Sequence, residues 1–270
     1  MFLPRSNDAS RGRTHALPLA LCVALFAACL FPVSGNSQEV VGRTPNLSGG
    51  WVGTPGTQAF HFDHRFWFVD STDGKAVVNS PTFLFGVPLP GRTLVAGRYA
   101  TRAPAGAGEV NEWEIFGRWA PELGRLDAAI TAGYSGFAES LDGELSLGFW
   151  ANPGGSLPGN GIRLIAVVRG LSDALGSGDP GWFAGGGIVL SLTDGVALSA
   201  DAGTLDGDAV EDAKTVWGAG LQARIPGSPH SISLFSSNAR TGTLQGTSAG
   251  GRTVWGFEFT VPVRLSNFVP

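Results

Sequence analysis

The sequence predicts an all-β chain, an antiparallel up-and-down transmembrane β-barrel of about twelve strands. Three observations carry this. Segments of about ten residues alternate apolar and polar side chains with period two, as a tilted membrane strand requires. The connections between them alternate short and long, the pattern of tight turns on one side of a membrane and longer loops on the other. Charged residues make up 15% of the chain, against roughly 25% in an ordinary soluble domain, while Gly, Phe and Trp number 41, 17 and 8. A soluble sandwich shows the same alternation with its apolar face inward. Sparse charge, a ring too wide for a soluble core, and Trp67, Trp119, Trp150, Trp182, Trp217 and Trp255 near strand ends favour lipid outside.

Residues 1–35 read as a secretory signal. Arg5, Arg11 and Arg13 precede an apolar run at 16–33 (ALPLALCVALFAACLFPV), and small residues follow at 34–37. An uncleaved anchor is one alternative, since the run approaches spanning length, although Pro18 and Pro32 bracket it. A lipidation site at Cys29 is another, with Phe26 and Leu30 departing from its usual pattern. Cys22 and Cys29 are the two cysteines, so a chain cleaved after residue 35 or 37 has no thiol for a disulfide, a nucleophile or a metal. Cleavage after 35 removes three Arg and one Asp, which moves the formal charge from −4 to about −6. That mild acidity argues against a nucleic-acid partner. The expected location is the outer membrane of a Gram-negative cell. The expected partners are outer-membrane lipid, lipopolysaccharide and the barrel-insertion machinery. Nothing in the sequence indicates an oligomeric state.

Residues 36–57 form a periplasmic segment ahead of the barrel, available as a tether or a plug. The barrel occupies 58–270. Its first strand, 58–70 (QAFHFDHRFWFVD), puts Phe60, Phe62, Phe66 and Phe68 on one face and His61, Asp63 and Arg65 on the other, with His64 interrupting the apolar row. Further strands fall near 82–89, 93–101, 109–119, 125–135, 140–150, 162–171, 181–192, 195–203, 215–225, 230–238 and 253–265. The segments 82–89 and 230–238 are the weakest, which leaves ten strands as an alternative. Gly185, Gly186 and Gly187 weaken 181–192, and Pro88 and Pro262 belong near strand ends or at bulges. Short turns at 90–92, 120–124, 193–195 and 226–228 alternate with longer connections at 71–81, 102–108, 136–139, 172–180, 204–214 and 239–252. The segment 152–161 (NPGGSLPGNG) is long where a short turn is due, and 136–139 is short for its set.

Four segments carry a resemblance: 56–66 (GTQAFHFDHRF), 111–119 (NEWEIFGRW), 142–148 (DGELSLG) and 256–263 (GFEFTVPV). Together they resemble an uncharacterised family of single-domain outer-membrane β-barrels, known as a domain of unknown function. The resemblance implies a barrel in the outer membrane and supplies no activity. The last strand is also similar to the aromatic-rich signal read by the insertion machinery, although this chain ends Phe268-Val269-Pro270.

The candidate functional residues are those on the polar faces of the strands: His61, Asp63, Arg65, Glu112, Glu114, Arg118, Asp127, Arg163, Arg169 and Glu258. A face bearing both signs of charge suits a narrow porin-like channel for small solutes, or equally a set of salt bridges that closes the lumen. His61 and Asp63 have strand spacing for two metal ligands, which is too few for a site. Four acids at Asp206, Asp208, Glu211 and Asp212 read as a solvated loop ahead of a calcium site. A barrel hydrolase is the least favoured reading. It needs a Ser–His pair in contact, and His61, His64 and His230 are the histidines available after cleavage, with no Gly-x-Ser-x-Gly elbow. The expectation is therefore a non-enzymatic barrel with no cofactor: a narrow channel or, alternatively, a closed structural or binding barrel.

Overall fold

The computed structural model describes residues 41–71, 74–101, 111–123, 126–151, 161–206 and 215–263. The proposed signal, residues 36–40, the loop acids Asp208, Glu211 and Asp212, and the final residues 264–270 lie outside them. The strands are β1 (Gln58–Ser71), β2 (Gly74–Leu89), β3 (Thr93–Ala100), β4 (Glu112–Trp119), β5 (Glu122–Leu123), β6 (Leu126–Ser135) and β7 (Ser140–Ala151). They continue with β8 (Ile162–Leu171), β9 (Gly181–Thr193), β10 (Val196–Asp206), β11 (Val216–Arg224), β12 (Ser231–Ala239) and β13 (Gly250–Val263).

Apart from β4 and β5, each strand pairs antiparallel with the next, and the sheet closes on itself where β1 meets β13, with His61 opposite Thr260 and Phe66 opposite Trp255. β4 and the two-residue β5 both pair with β6, so Ala120 and Pro121 merely interrupt one strand. The result is a closed barrel of twelve strands. Closure leaves no unpaired edge, the condition for a sheet to cross hydrocarbon.

The ten-strand alternative fails because β2 and β12 are full members of the ring. Most of 71–81, expected as a loop, is strand. β1 and β2 form a hairpin with Val69 opposite Ala76 and Ser71 opposite Gly74. Lys75, Asn79 and Pro81 hid this strand in the sequence. Pro81 is tolerated because its missing N–H faces β3 just past the last pair, Thr82 with Ala100, and its carbonyl still accepts from Thr101 N at 2.9 Å. Pro88 and Pro262 each sit one residue from a strand end.

Burial alternates strictly along the best strands. On β4, Glu112, Glu114, Phe116 and Arg118 are buried, whereas Trp113, Ile115 and Trp119 are exposed. On β7, Ser140, Asp142, Glu144 and Ser146 are buried between outward Leu141, Leu145 and Leu147. This is a soluble protein turned inside out. Leu141 and Trp182 expose 69% and 67% of their surface, a cost in water at about 25 cal/mol per Å² of apolar area that hydrocarbon removes. Two of the six expected girdle tryptophans point the other way. Trp150 donates its Nε1–H to Asp127 at 2.9 Å, and Trp67 shares the lumen-side parity of His61 and Arg65. Strand-end position alone does not decide the face; parity does.

A charge in the middle of the outer face tests this orientation. Leu145→Arg is expected to destabilise the folded barrel by about 2–4 kcal/mol in lipid vesicles, read by urea titration. An unchanged midpoint would place Leu145 away from lipid.

Candidate functional site

The lumen of this ring is filled. Eight strands leave room for side chains alone, and sixteen or more leave a channel; twelve leave a space that further chain can occupy. Residues 41–57 enter it as a finger from the mouth where β1 begins and β13 ends. Gly42 and Arg43 lie beside Gln222 of β11, whose side chain accepts from Gly42 N at 3.2 Å and donates to Arg43 O at 2.6 Å. The finger reaches its greatest depth around Pro45–Ser48, returns past Trp51 and Val52, and emerges at exposed 54–56 before turning into β1.

Asn46 is the knot at the tip. Its backbone N–H and side-chain amide donate to both carboxylate oxygens of Asp201 at 2.9 and 2.7 Å. Its Oδ1 accepts from Ser237 at 2.9 Å, and its backbone carbonyl accepts from Arg169 at 3.1 Å. Leu47 and Val41 pack with Ile165, Val167 and Phe183, and Val52 packs with Leu84, Leu94 and Phe116. The wall is shaved to admit the finger. At Gly218 a Cβ would meet Asn46 Nδ2 at 2.6 Å and Pro45 Cβ at 2.9 Å, and at Gly187 it would meet Thr44 Cγ2 at 2.9 Å. The glycines that weakened the strand pattern at 185–187 thus include one that makes space for the finger.

From the opposite mouth the β12–β13 loop, 240–249, folds inward. Thr241 and Thr243 both donate to Glu112 Oε2 at 2.6 Å, Leu244 N donates to Glu114 at 2.9 Å, and the Gln245 amide donates to Asp142 Oδ1 at 2.9 Å. Arg169 joins loop and finger. It is fully buried, its Nε donates to Glu144 at 2.7 Å, and its Nη1 donates to Leu244 O at 3.3 Å and Thr247 Oγ1 at 2.9 Å, while Nη2 reaches Asn46 O. Between the finger and the wall a cavity of about 50 Å³ remains, lined by His61, Asp63, Arg65, Arg98 and Glu258 among others. That is room for a few waters.

All ten residues nominated from the sequence face this interior, but they do not converge on one centre. They divide into pairs along the lumen: Asp127 with Arg163 at 2.9 Å, Asp63 with Arg65 at 3.0 Å, and Glu258 with finger residue Arg43 at 2.5 Å, where His61 Nδ1 also lies 3.1 Å away. Arg118 sits 3.5 Å from Glu144, and Glu114 pairs with Arg98. Sequence reading missed Arg43, Asn46, Arg98, Asp142, Glu144, Asp201 and Gln222. Asp142 and Glu144 were visible in principle, since they alternate with Leu141 and Leu145. Arg43 and Asn46 carry no strand pattern to betray them. His230 Nδ1 lies 3.1 Å from the Thr260 carbonyl, His64 rests among Phe62, Phe66 and Phe257, and no histidine ring contacts a serine hydroxyl among the described residues.

No known family pattern matches the sequence, and no characterised protein resembles it at the level of sequence. Solved structures do resemble it in fold. A structure described as the KdgM porin superposes with a TM-score of 0.52 at 8% identity, covering 75% of this chain and 98% of that one. The NanC porin gives 0.49 at 9% identity over 74% and 98%. Omp33, an outer membrane protein of Acinetobacter baumannii, gives 0.43 at 11% identity over 76% and 97%. At such identities the likeness is one of fold alone: a closed antiparallel barrel like that of the KdgM porin structure.

Asn46→Ala removes the side-chain contacts with Asp201, Ser237 and Arg65 at the tip and leaves Asp201 short of a donor, at a cost of about 1–3 kcal/mol. Gly218→Val fills the seat outright. Both are expected to speed proteolysis within 41–57 of the refolded, detergent-held protein while the barrel keeps its heat-modifiable gel mobility. Equal cleavage rates in parent and variants would contradict the finger's seating.

Proposed function

We propose that the chain is an outer-membrane barrel, exported by its cleaved N-terminal signal, that acts as a narrow channel for small polar solutes and rests in a closed state. The observation that carries this reading is how the finger is attached. Among the described residues, each hydrogen bond between 41–52 and the wall involves a side chain, so the finger can withdraw through its own mouth without parting any pair of strands. Behind it stands a wall bearing both signs of charge, suited to small polar solutes. The apolar outer face and the porin-type fold support the membrane location. There the barrel would meet lipid and lipopolysaccharide through its outward aromatics, after assembly by the insertion machinery. Nothing in the lumen geometry supports hydrolysis.

A second reading, a permanently closed structural barrel, draws on one observation: loop 240–249 also folds into the lumen, from the opposite mouth, and shares Arg169 with the finger. Planar-bilayer recording separates the two. The parent chain from residue 36 is expected to be silent or to open rarely, and deletion of 41–52 to give discrete steps. A further deletion of 241–248 is expected to enlarge those steps. Silence from both folded deletion variants would leave the structural reading in place of the channel.

A further inference from the structure

The mouth at the β12–β13 turn carries a feature that filling of the lumen does not require. A cavity of about 300 Å³ opens there, lined by Trp67, Ser80, Arg240, Thr241, Arg252 and Val254 among others. That volume is at the lower end of small-molecule sites. The Ala239–Gly250 pairing brings Arg240 and Arg252 to the same rim. The Arg240 side chain lies across Gly251, where a Cβ would sit 3.6 Å from its Cγ and 3.7 Å from its Nε.

These two arginines differ from those deeper inside. Arg65, Arg118, Arg163 and Arg169 are each buried beside a carboxylate. Arg240 and Arg252 are exposed, and neither guanidinium has an ion pair or hydrogen bond among the described residues. No acidic residue lines the cavity, and Glu112, which lies by Thr241, is already taken by Thr241 and Thr243. Trp67, turned to the lumen side, has no ring or guanidinium partner among the described residues. The inward loop 240–249 supplies the floor.

We propose that this cavity binds a small organic anion with a flat ring, its carboxylate held between Arg240 and Arg252 and its ring laid on Trp67. A guanidinium fork matches a carboxylate in two-point geometry, and an indole face offers apolar contact beside it. The site lies in front of the closed lumen and does not depend on conduction, so its test is independent of channel activity.

The test is calorimetric titration of the refolded chain from residue 36 with benzoate, with benzyl alcohol and sulfate as comparison probes. Benzoate is expected to bind, with affinity falling as salt is raised and benzyl alcohol giving no heat. Arg240→Gln/Arg252→Gln is expected to weaken benzoate at least tenfold while keeping the heat-modifiable mobility of the parent; both side chains are exposed, so folding should survive. Trp67→Ala should weaken benzoate while leaving the weaker sulfate binding unchanged. Absence of benzoate binding by the folded parent, or equal affinity in the double variant, would overturn the site. Sulfate binding as tightly as benzoate would overturn the seat on Trp67.

Discussion

A guanidinium with no access to water must find every partner inside the protein, and Arg169 sets the terms for the rest of this molecule. Removing such a group's partners costs several kcal/mol in a dry interior. The wall offers Glu144, which satisfies one side of the fork. The remaining donors need carbonyls and hydroxyls that the wall does not supply, and they come from Asn46 on one side and from Leu244 and Thr247 on the other. The filled lumen follows from this requirement. A twelve-strand ring lined with paired charges is too wide to satisfy them across empty space, so two stretches of chain complete the network from opposite mouths.

The same logic divides the two surfaces of the barrel. Outside, hydrocarbon accepts Leu141, Ile115 and Trp182 without cost, and specificity is unnecessary. Inside, hydrogen bonds decide the arrangement, and apolar contacts assist: Leu47 with Ile165 and Phe183, Val52 with Leu94 and Phe116. Arginines stack on aromatic rings in the same layer, Arg169 over Phe183 at 4.7 Å and Arg65 over Phe235 at 5.0 Å. The interior is therefore a small mixed core.

Period two was legible because the faces of a membrane strand meet such different surroundings. Ile115 between Glu114 and Phe116, or Leu145 between Glu144 and Ser146, carries its orientation in the sequence. Where polar residues sit on the outer face and an apolar one on the inner, as with outward Lys75 and Asn79 beside buried Val78, the pattern faded and β2 looked like a loop at its start. Trp67 and Trp150 looked like interfacial anchors because type and position were read without parity. The finger and the inward loop left the weakest trace. Asn46 is important through a carboxylate on β10, a hydroxyl on β12 and a guanidinium on β8, and contacts across such separations have no local periodicity. The loop 240–249 did differ from its fellows in one readable respect: between Arg240 and Arg252 it carries hydroxyls and an amide and no charge, as suits a segment that donates to buried carboxylates.

The account stands on the finger being seated at the heart of the folded barrel. Asn46 and Ser237 are far apart in sequence, and their side chains meet at 2.9 Å. The two cysteines of the chain both precede residue 36, so Asn46→Cys/Ser237→Cys in the chain from residue 36 carries one unique thiol pair. Treating that protein, refolded in lipid vesicles, with a short bis-methanethiosulfonate is the most direct measurement. A single intramolecular bridge, formed rapidly and seen as a shifted band after heating, is the predicted result. Two thiols that stay separately reactive, with no bridge in a folded barrel, would contradict it.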